Sequence, residues 1–502
     1  MHLTKSNFLI WHHCPHNAWM KVNRRDVYDA GGLSAFDQNL IETGNEVDEL
    51  ARDLFPGGEL IFRGEAARTR DLIAARAQIL YQPVFQTDRF EMASDILVWN
   101  EASARYDVYE VKASTSNANG RAREELYIYD LGFQAEILRA CGVDIGRLYL
   151  VRLDSTYVRG DALDIAALFK TEDYTDRVAA IAATLAGEMQ AAHIDLLRSA
   201  PLPAPCNCIY RGRGSHCTTF AFSNPTVPAY SVHDLSRIGA SRAKLAQLID
   251  SGILAITDVP DGFTLSDNQR SQVVAAKTGR ATIDTVAVRA FLEGVRYPLS
   301  FIDYETYPAG VPRFARYHPY EQIPFQFSLD IVERPGAEVV HREFLFTEST
   351  CPDTAFAAAL EEALPTEGSI VTWNDTFEKT INSKLADRLP TASPFLAAVN
   401  SRVVDLMDVF STQAYVHPAF RGSTSIKAVL PALVPELSYE NLVIQEGAAA
   451  SDAWDRIVRG EIASSDAEQA RRDLLTYCAL DTRAMVEIWW VLEGTANGLR
   501  RQ

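Results

Sequence analysis

Two carboxylates, two residues apart in an apolar run, open the chemistry of this chain. PLSFIDYETY reads as a strand, and alternate strand residues share a face, so Asp303 and Glu305 project together. Buried carboxylates on one face repel unless a cation lies between them. Hard oxygen donors suit Mg²⁺ or Mn²⁺. Farther along, SIVTWNDTFEK reads as a strand running into a helix, carrying Asn374 and then Glu378 behind Phe377, with Asp375 as a fallback carboxylate. Near the end, LLTYCALDT sets Tyr477 four residues before Asp481, on one face of a helix.

A second set lies upstream. Asp95 closes MASD ahead of ILVW, and YEVK puts Glu110 and Lys112 on one face of the next strand. A carboxylate pair can hold Mg²⁺, and a lysine beside it can position or deprotonate water. A helix with Gln134 follows, and TGNEVDELA upstream offers Glu46 and Glu49. A third set is sulfur: Cys14 in WHHCPH, then Cys206, Cys208 and Cys217 in PCNCIYRGRGSHC. Four thiolates suit a [4Fe-4S] cluster or Zn²⁺, with His12, His13 or His216 as substitute ligands for zinc. Cys141, Cys351 and Cys478 read as core or incidental.

The elements that must position these groups follow from periodicity. Helices are expected over 43–55, 67–80 and 127–142, a hairpin over 90–101 and 106–115, and a strand over 147–154. The alanine-rich stretch 167–193 reads as helical, and 201–217 is loop chemistry. Short amphipathic helices fill 230–297. From 298, three strands in succession, then helices, a further strand and a long final helix make a second α/β region. The expected architecture is α/β throughout: an α/β core with the cysteines over 1–225, a helical connector over 226–296, and an α/β domain over 297–502.

The D-x-E, Glu378 and Tyr477/Asp481 segments, in that order, resemble the DnaQ-like 3′–5′ exonucleases of the tyrosine type. The resemblance covers roughly 295–490 and implies an RNase H-like fold with Asp303, Glu305, Glu378 and Asp481 holding two metal ions. Tyr477 would orient the attacking water. The histidine-type subclass needs a histidine at Thr476, and Glu378 stands where aspartate is usual. The stretch from FIDYETY to HPYEQIPFQFSLDI also looks like an uncharacterised bacterial domain family. The order Asp95, Glu110, Lys112, Gln134 resembles the PD-(D/E)xK nucleases of the RecB-like and CRISPR-adaptation branch, with a restriction-endonuclease-like fold. That resemblance implies metal binding by Asp95 and Glu110, a catalytic Lys112, support from Gln134, and Glu46 as the helix ligand. Some members of that branch tie their chain ends with an iron–sulfur cluster; C-x-C-x₈-C departs from their usual C-x₂-C. Together these imply a two-metal-ion nuclease acting on DNA or RNA with single-stranded ends, in repair, processing or defence. The alternative is a nucleic-acid-binding scaffold whose nuclease folds no longer cut.

Bulk composition bears on that partner. The chain has 502 residues, 48 basic and 66 acidic, a net charge of −18, where nucleic-acid binders usually present a basic surface. Residues 297–502 hold 29 acidic and 17 basic side chains, so the excess concentrates around the first carboxylate set. Bound divalent ions would turn that site toward phosphate. No apolar run is long enough for a membrane span, and no signal-peptide pattern opens the chain, so the cytoplasm is expected.

Overall fold

The computed structural model describes residues 2–118, 120–203 and 206–498. The fold is mixed α/β, with four sheets and twenty α-helices among the described residues. No helix among them is long and apolar enough to cross a membrane. The chain divides into two compact units: Met1–Ile209 with Ser215–Pro225 and Ala309–Glu321, and Tyr210–Gly214 with Thr226–Pro308 and Gln322–Gln502. The segment read as a connector, 226–296, therefore clusters with the second unit, while 309–321 clusters with the first.

In the first unit, α1 (Lys5–His13) and α2 (Ala35–Arg52) precede a six-stranded sheet. Its order is β1 (Glu59–Leu60), β2 (Ile79–Tyr81), β3 (Ile96–Asn100), β4 (Arg105–Thr115), β5 (Ile145–Leu153) and β6 (Phe169–Asp173). Helix α3 (Arg121–Ala140) crosses from β4 to β5, which run parallel. A parallel pair needs such a crossover. Leu131, Phe133, Ile137 and Leu138 of α3 are buried against Phe8 of α1 and Leu148 and Leu150 of β5 in one core.

Three local expectations are corrected. The run 90–101 is two strands in different sheets, because Ser94 and Asp95 turn their side chains to partners off the strand: Ser94 Oγ donates to Gln134 and Asp95 accepts from Val111. The helix expected over 67–80 spans only Ala66–Ala74, and Arg76, in the left-handed region at φ 54°, redirects the chain into β2. The run 167–193 opens on β6, paired antiparallel with β5, before Asp173 accepts from the Thr175 N–H and the chain turns helical.

The second unit centres on a five-stranded sheet, in the order β9 (Val339–Leu345), β8 (Gln322–Val332), β7 (Leu299–Pro308), β10 (Ser369–Thr372) and β11 (Val403–Asp405). Strand β7 pairs antiparallel with β8 and parallel with β10. Both faces of β7 and β8 are covered, which is why they read as near-continuous apolar runs. Around the sheet lie α4 (Thr376–Arg388), α5 (Ile426–Leu433) and the 33-residue α6 (Ser464–Ala496). Ile302, Phe327, Leu329, Phe356, Ile381 and Leu385 form the core beside the first carboxylate set.

Candidate metal sites

In the second unit, Asp303 and Glu305 share a face of β7, just before a register shift at Glu305/Thr306. Glu378 comes from the first turn of α4, and Tyr477 and Asp481 from α6. Glu305, Glu378, Asp481 and Tyr477 are each at least nine-tenths buried. Burial and the charges of Asp481, Glu305 and Glu378 hold Asp303 well above the ordinary carboxylate range. Burial and Asp481 do the same to Glu305. Burial pushes Glu378 up to about 8, and Glu378 Oε2 has no hydrogen-bond partner among the described residues. A buried acceptor left unsatisfied costs about 1–3 kcal/mol. Asp303, Glu305 and Cys478 bring ligand atoms within 4.8 Å of one another, the core of a donor set for a divalent cation; Glu378 and Asp481 act on Asp303 and Glu305 through charge and are not in that group. Asp375 is instead paired with Lys379 one turn on.

Two residues at this site, Cys478 and Tyr439, were not legible as members of it, while Lys427 lies in STSIKAVLPAL, a segment loosely similar to one near the substrate in exonucleases. Cys478, read as incidental, lies three residues before Asp481 on the same helical face; its Sγ is within 4.8 Å of ligand atoms of Asp303 and Glu305. Tyr439 donates to Asp481 Oδ1 at 2.5 Å. That bond and the nearby Lys427 pull Asp481 back against burial, leaving it at about 6. Lys427 Nζ lies 5.5 Å and 5.4 Å from the ring centroids of Tyr439 and Tyr477, and donates to Gln445 O. Tyr439 thus orients Asp481 from outside the ligand set. Tyr439→Phe is expected to weaken Mn²⁺ binding roughly 10- to 100-fold with little change in fold, as calorimetric titration would show.

In the first unit, Asp95, Glu110, Lys112 and Gln134 come together. Gln134 Nε2 donates to Glu110 Oε2 at 2.6 Å and to Asp130 Oδ1 at 2.9 Å. Lys112 Nζ bonds both Glu110 Oε1 and Asp130 Oδ2. Asp95 Oδ2 accepts from the Val111 N–H at 2.7 Å, and the Asp95 charge is among those that act on Lys112. Glu46 is placed differently. It is exposed on α2 and lines a surface pocket with Glu49, Asp53 and Arg313. The α2 carboxylate linked to Asp95 is Asp48: Gln82 Nε2 bonds both, at 3.1 Å to Asp48 and 3.4 Å to Asp95. Two residues along a helix is about 200° of rotation, so Glu46 and Asp48 face opposite ways.

The four cysteine sulfurs lie within 4.8 Å of one another, all buried. Cys14 is 3.4 Å from Cys206, and Cys206 is 3.8 Å from Cys217. Bonds from Cys14, Cys206 and Cys217 pull the Cys208 thiol down, and the bond to Cys206 pushes Cys14 up. Such a set can hold a metal. The histidines named as substitutes are placed elsewhere where their contacts are defined: His12 faces Glu125 and Glu188, and His216 stacks on Phe220.

Comparison with known proteins adds little chemistry. Residues 300–425 match a domain of unknown function, DUF2779, and that stretch includes Asp303, Glu305 and Glu378 but ends before Asp481. An uncharacterized protein of Mycoplasma pneumoniae, the MG366 homolog, is 26% identical over 206 residues. The match covers 38% of this chain and 31% of that protein, so the chain spans about a third of its relative's length. No solved structure matches the chain.

Proposed function

We propose that the chain is a metal-dependent nuclease that hydrolyses nucleic-acid phosphodiester bonds. The second unit is read as an RNase H-like, DnaQ-like 3′–5′ exonuclease domain of the tyrosine type. The first is read as a PD-(D/E)xK, RecB-like module. The observation that carries the reading is that Asp303 and Glu305, whose ligand atoms lie within 4.8 Å of each other, feel the charges of Glu378 from α4 and Asp481 from α6, with Tyr477 of α6 under the same charges. Divalent ions held by Asp303 and Glu305, with Glu378 and Asp481 adding negative charge, would supply an activated water and neutralise the leaving oxygen. Around them, Tyr477 orients the attacking oxygen, Tyr439 fixes Asp481, and Lys427 adds positive charge toward phosphate.

The cysteine centre is read as structural, joining residue 14 to 206–217. A tetrahedral zinc site with Zn–S near 2.3 Å has sulfur–sulfur edges of about 3.8 Å. The separations of 3.4 and 3.8 Å fit a single ion. A [4Fe-4S] cube seats each thiolate on a different iron and holds the sulfurs farther apart, so it does not fit this spacing.

The test is cleavage of end-labelled single- and double-stranded DNA and RNA with Mg²⁺ or Mn²⁺. Stepwise shortening from 3′ ends is expected from the second unit. Separate Asp303→Ala and Lys112→Ala proteins should each lose one of two cleavage patterns. Degradation of none of the four substrates would overturn the enzymatic reading.

A further inference from the structure

A short ribbon, Thr282–Ile283 paired antiparallel with Tyr415–Val416, forms one wall of a cavity of about 1080 Å³ in the second unit. Ile283 and Tyr415 stand directly opposite each other across the ribbon, and both line the cavity. The C-terminal parts of α5 and α6 supply a second wall, through Leu433 and Trp490. Gly494, one turn after Trp490 on α6, adds no side chain, so the space beside the indole stays open. The volume matches the upper end of the range of small-ligand sites, about 300–1,000 Å³.

The lining combines rings, a hydrogen-bond donor and one cation. Tyr415 is buried and Trp490 half-buried. Arg483 steadies the indole, its guanidinium 5.2 Å from the ring centroid. His417 Nδ1 accepts from the Ala419 N–H, and burial favours the neutral ring, so its proton sits on Nε2 as a donor. Residues 297–502 carry 29 acidic and 17 basic side chains, yet no carboxylate lines this cavity among the described residues. Its charged lining residue is Arg280. Gly279, at φ 64°, ends the helix Asp267–Thr278 and turns the chain out at Arg280, which has no ion-pair partner among the described residues. Aromatic rings stack on any nucleobase, and a guanidinium bonds phosphate.

We propose that this cavity is a nucleotide site, in which a base stacks on Trp490 beside Tyr415, its polar edge meets His417 Nε2, and one phosphate meets Arg280. A single guanidinium suits one phosphate group rather than a triphosphate, and a free mononucleotide and a segment of single strand share that chemistry. Asp481 and Trp490 are nine residues apart on α6, about 13 Å along its axis and half a turn round, so they point to opposite sides of the helix. Binding in the cavity therefore requires neither metal nor cleavage.

The experiment is calorimetric titration of the full chain with AMP, GMP, CMP and UMP in EDTA, where the carboxylates hold no ion to attract phosphate. At least one nucleotide is expected to bind, and to bind roughly 10-fold more weakly to Arg280→Ala and to Trp490→Ala. Trp490→Phe, which keeps a ring, should retain binding, and thermal melts confirm that each variant is folded. Asp303→Ala should bind as the unaltered chain does. A single-stranded tetranucleotide that binds more tightly than the monophosphates would identify the occupant as a strand; weaker binding would identify it as a free nucleotide. No binding by the unaltered chain, folded Arg280→Ala and Trp490→Ala proteins that bind as it does, or loss of binding in Asp303→Ala would overturn the proposal. Absence of cleavage with nucleotide binding intact would instead tell against the nuclease reading alone.

Discussion

Asp303→Asn is expected to abolish Mn²⁺-dependent shortening of nucleic acid by the second unit, on the order of 10²–10³-fold or more, while raising the melting temperature of the metal-free protein. The two effects have one cause. Asp303 is raised by burial and by Asp481, Glu305 and Glu378, so an isosteric neutral amide relieves repulsion that an ion otherwise offsets. Relief of about 1 kcal/mol corresponds to roughly 2–4 °C for a unit of this size. Added Mn²⁺ should then stabilise the unaltered chain more than Asp303→Asn, because ligand binding to the folded state adds stability that rises with the logarithm of ligand concentration over Kd. A variant that lost activity and also melted lower without metal would mean that Asp303 serves packing rather than ion binding.

The same site sets a pH dependence with a definite sign. Glu378 at about 8 and Asp481 at about 6 lie above ordinary carboxylate values in the folded chain. Between their unfolded and folded values the folded state binds more protons than the unfolded state. Stability from these groups therefore falls as pH rises through that window. Metal-free protein should melt higher at pH 5 than at pH 8. Saturating Mn²⁺ should flatten that slope, since bound ions hold the carboxylates deprotonated. Thermal melts at three pH values, with and without Mn²⁺, read this directly.

What could be read in the sequence, and what could not, divides along the range of each contact. Asp303 with Glu305, Glu110 with Lys112, and Tyr477 with Asp481 share a face through the period of one strand or helix, and that period is visible in the chain. Glu378 was legible through its place behind a strand-to-helix junction. Tyr439 and Lys5 reach their sites only through tertiary packing, across 42 residues from Tyr439 to Asp481 and 105 from Lys5 to Glu110. Nothing local marks them. Glu46 shows a finer failure: the helix and its acidic face were visible, but the phase was not. Helix α2 begins at Ala35, after a Ser34–Asp37 capping box, well before the expected start at 43. The carboxylate linked to Asp95 is Asp48, bridged by Gln82 between α2 and β3. The break at Ser94–Asp95 was hidden for a related reason, since the alternation of 90–101 continues through it while the side chains bond outside the strand.

Cys14→Ser or Cys206→Ser is expected to lower the melting temperature of the first unit by about 10 °C or more. The centre joins residues 192 apart, and closing a loop of that length constrains the unfolded chain by about 5 kcal/mol on the chain-entropy scale. At roughly 2–4 °C per kcal/mol, this is the largest single stability effect expected in the protein. Elemental measurement should find one zinc ion per chain without acid-labile sulfide, matching the sulfur spacing; four irons with sulfide would mean that the sulfurs spread on loading. The loss should also be felt at a distance. Cys14 ends α1, donating its N–H to Ile10 O at 2.8 Å, and Lys5 begins the same nine-residue helix. At 1.5 Å per residue the two ends are about 13 Å apart on one rigid rod. Helix α1 keeps other anchors, through Leu3 pairing with Phe90 and Trp11 donating to Asp195, so it loosens rather than detaches. In Cys14→Ser, amides of 5–13 should exchange with solvent faster than those of α3. Unchanged exchange over 5–13 would mean that the cysteine centre holds its own loop and does not reach the carboxylates.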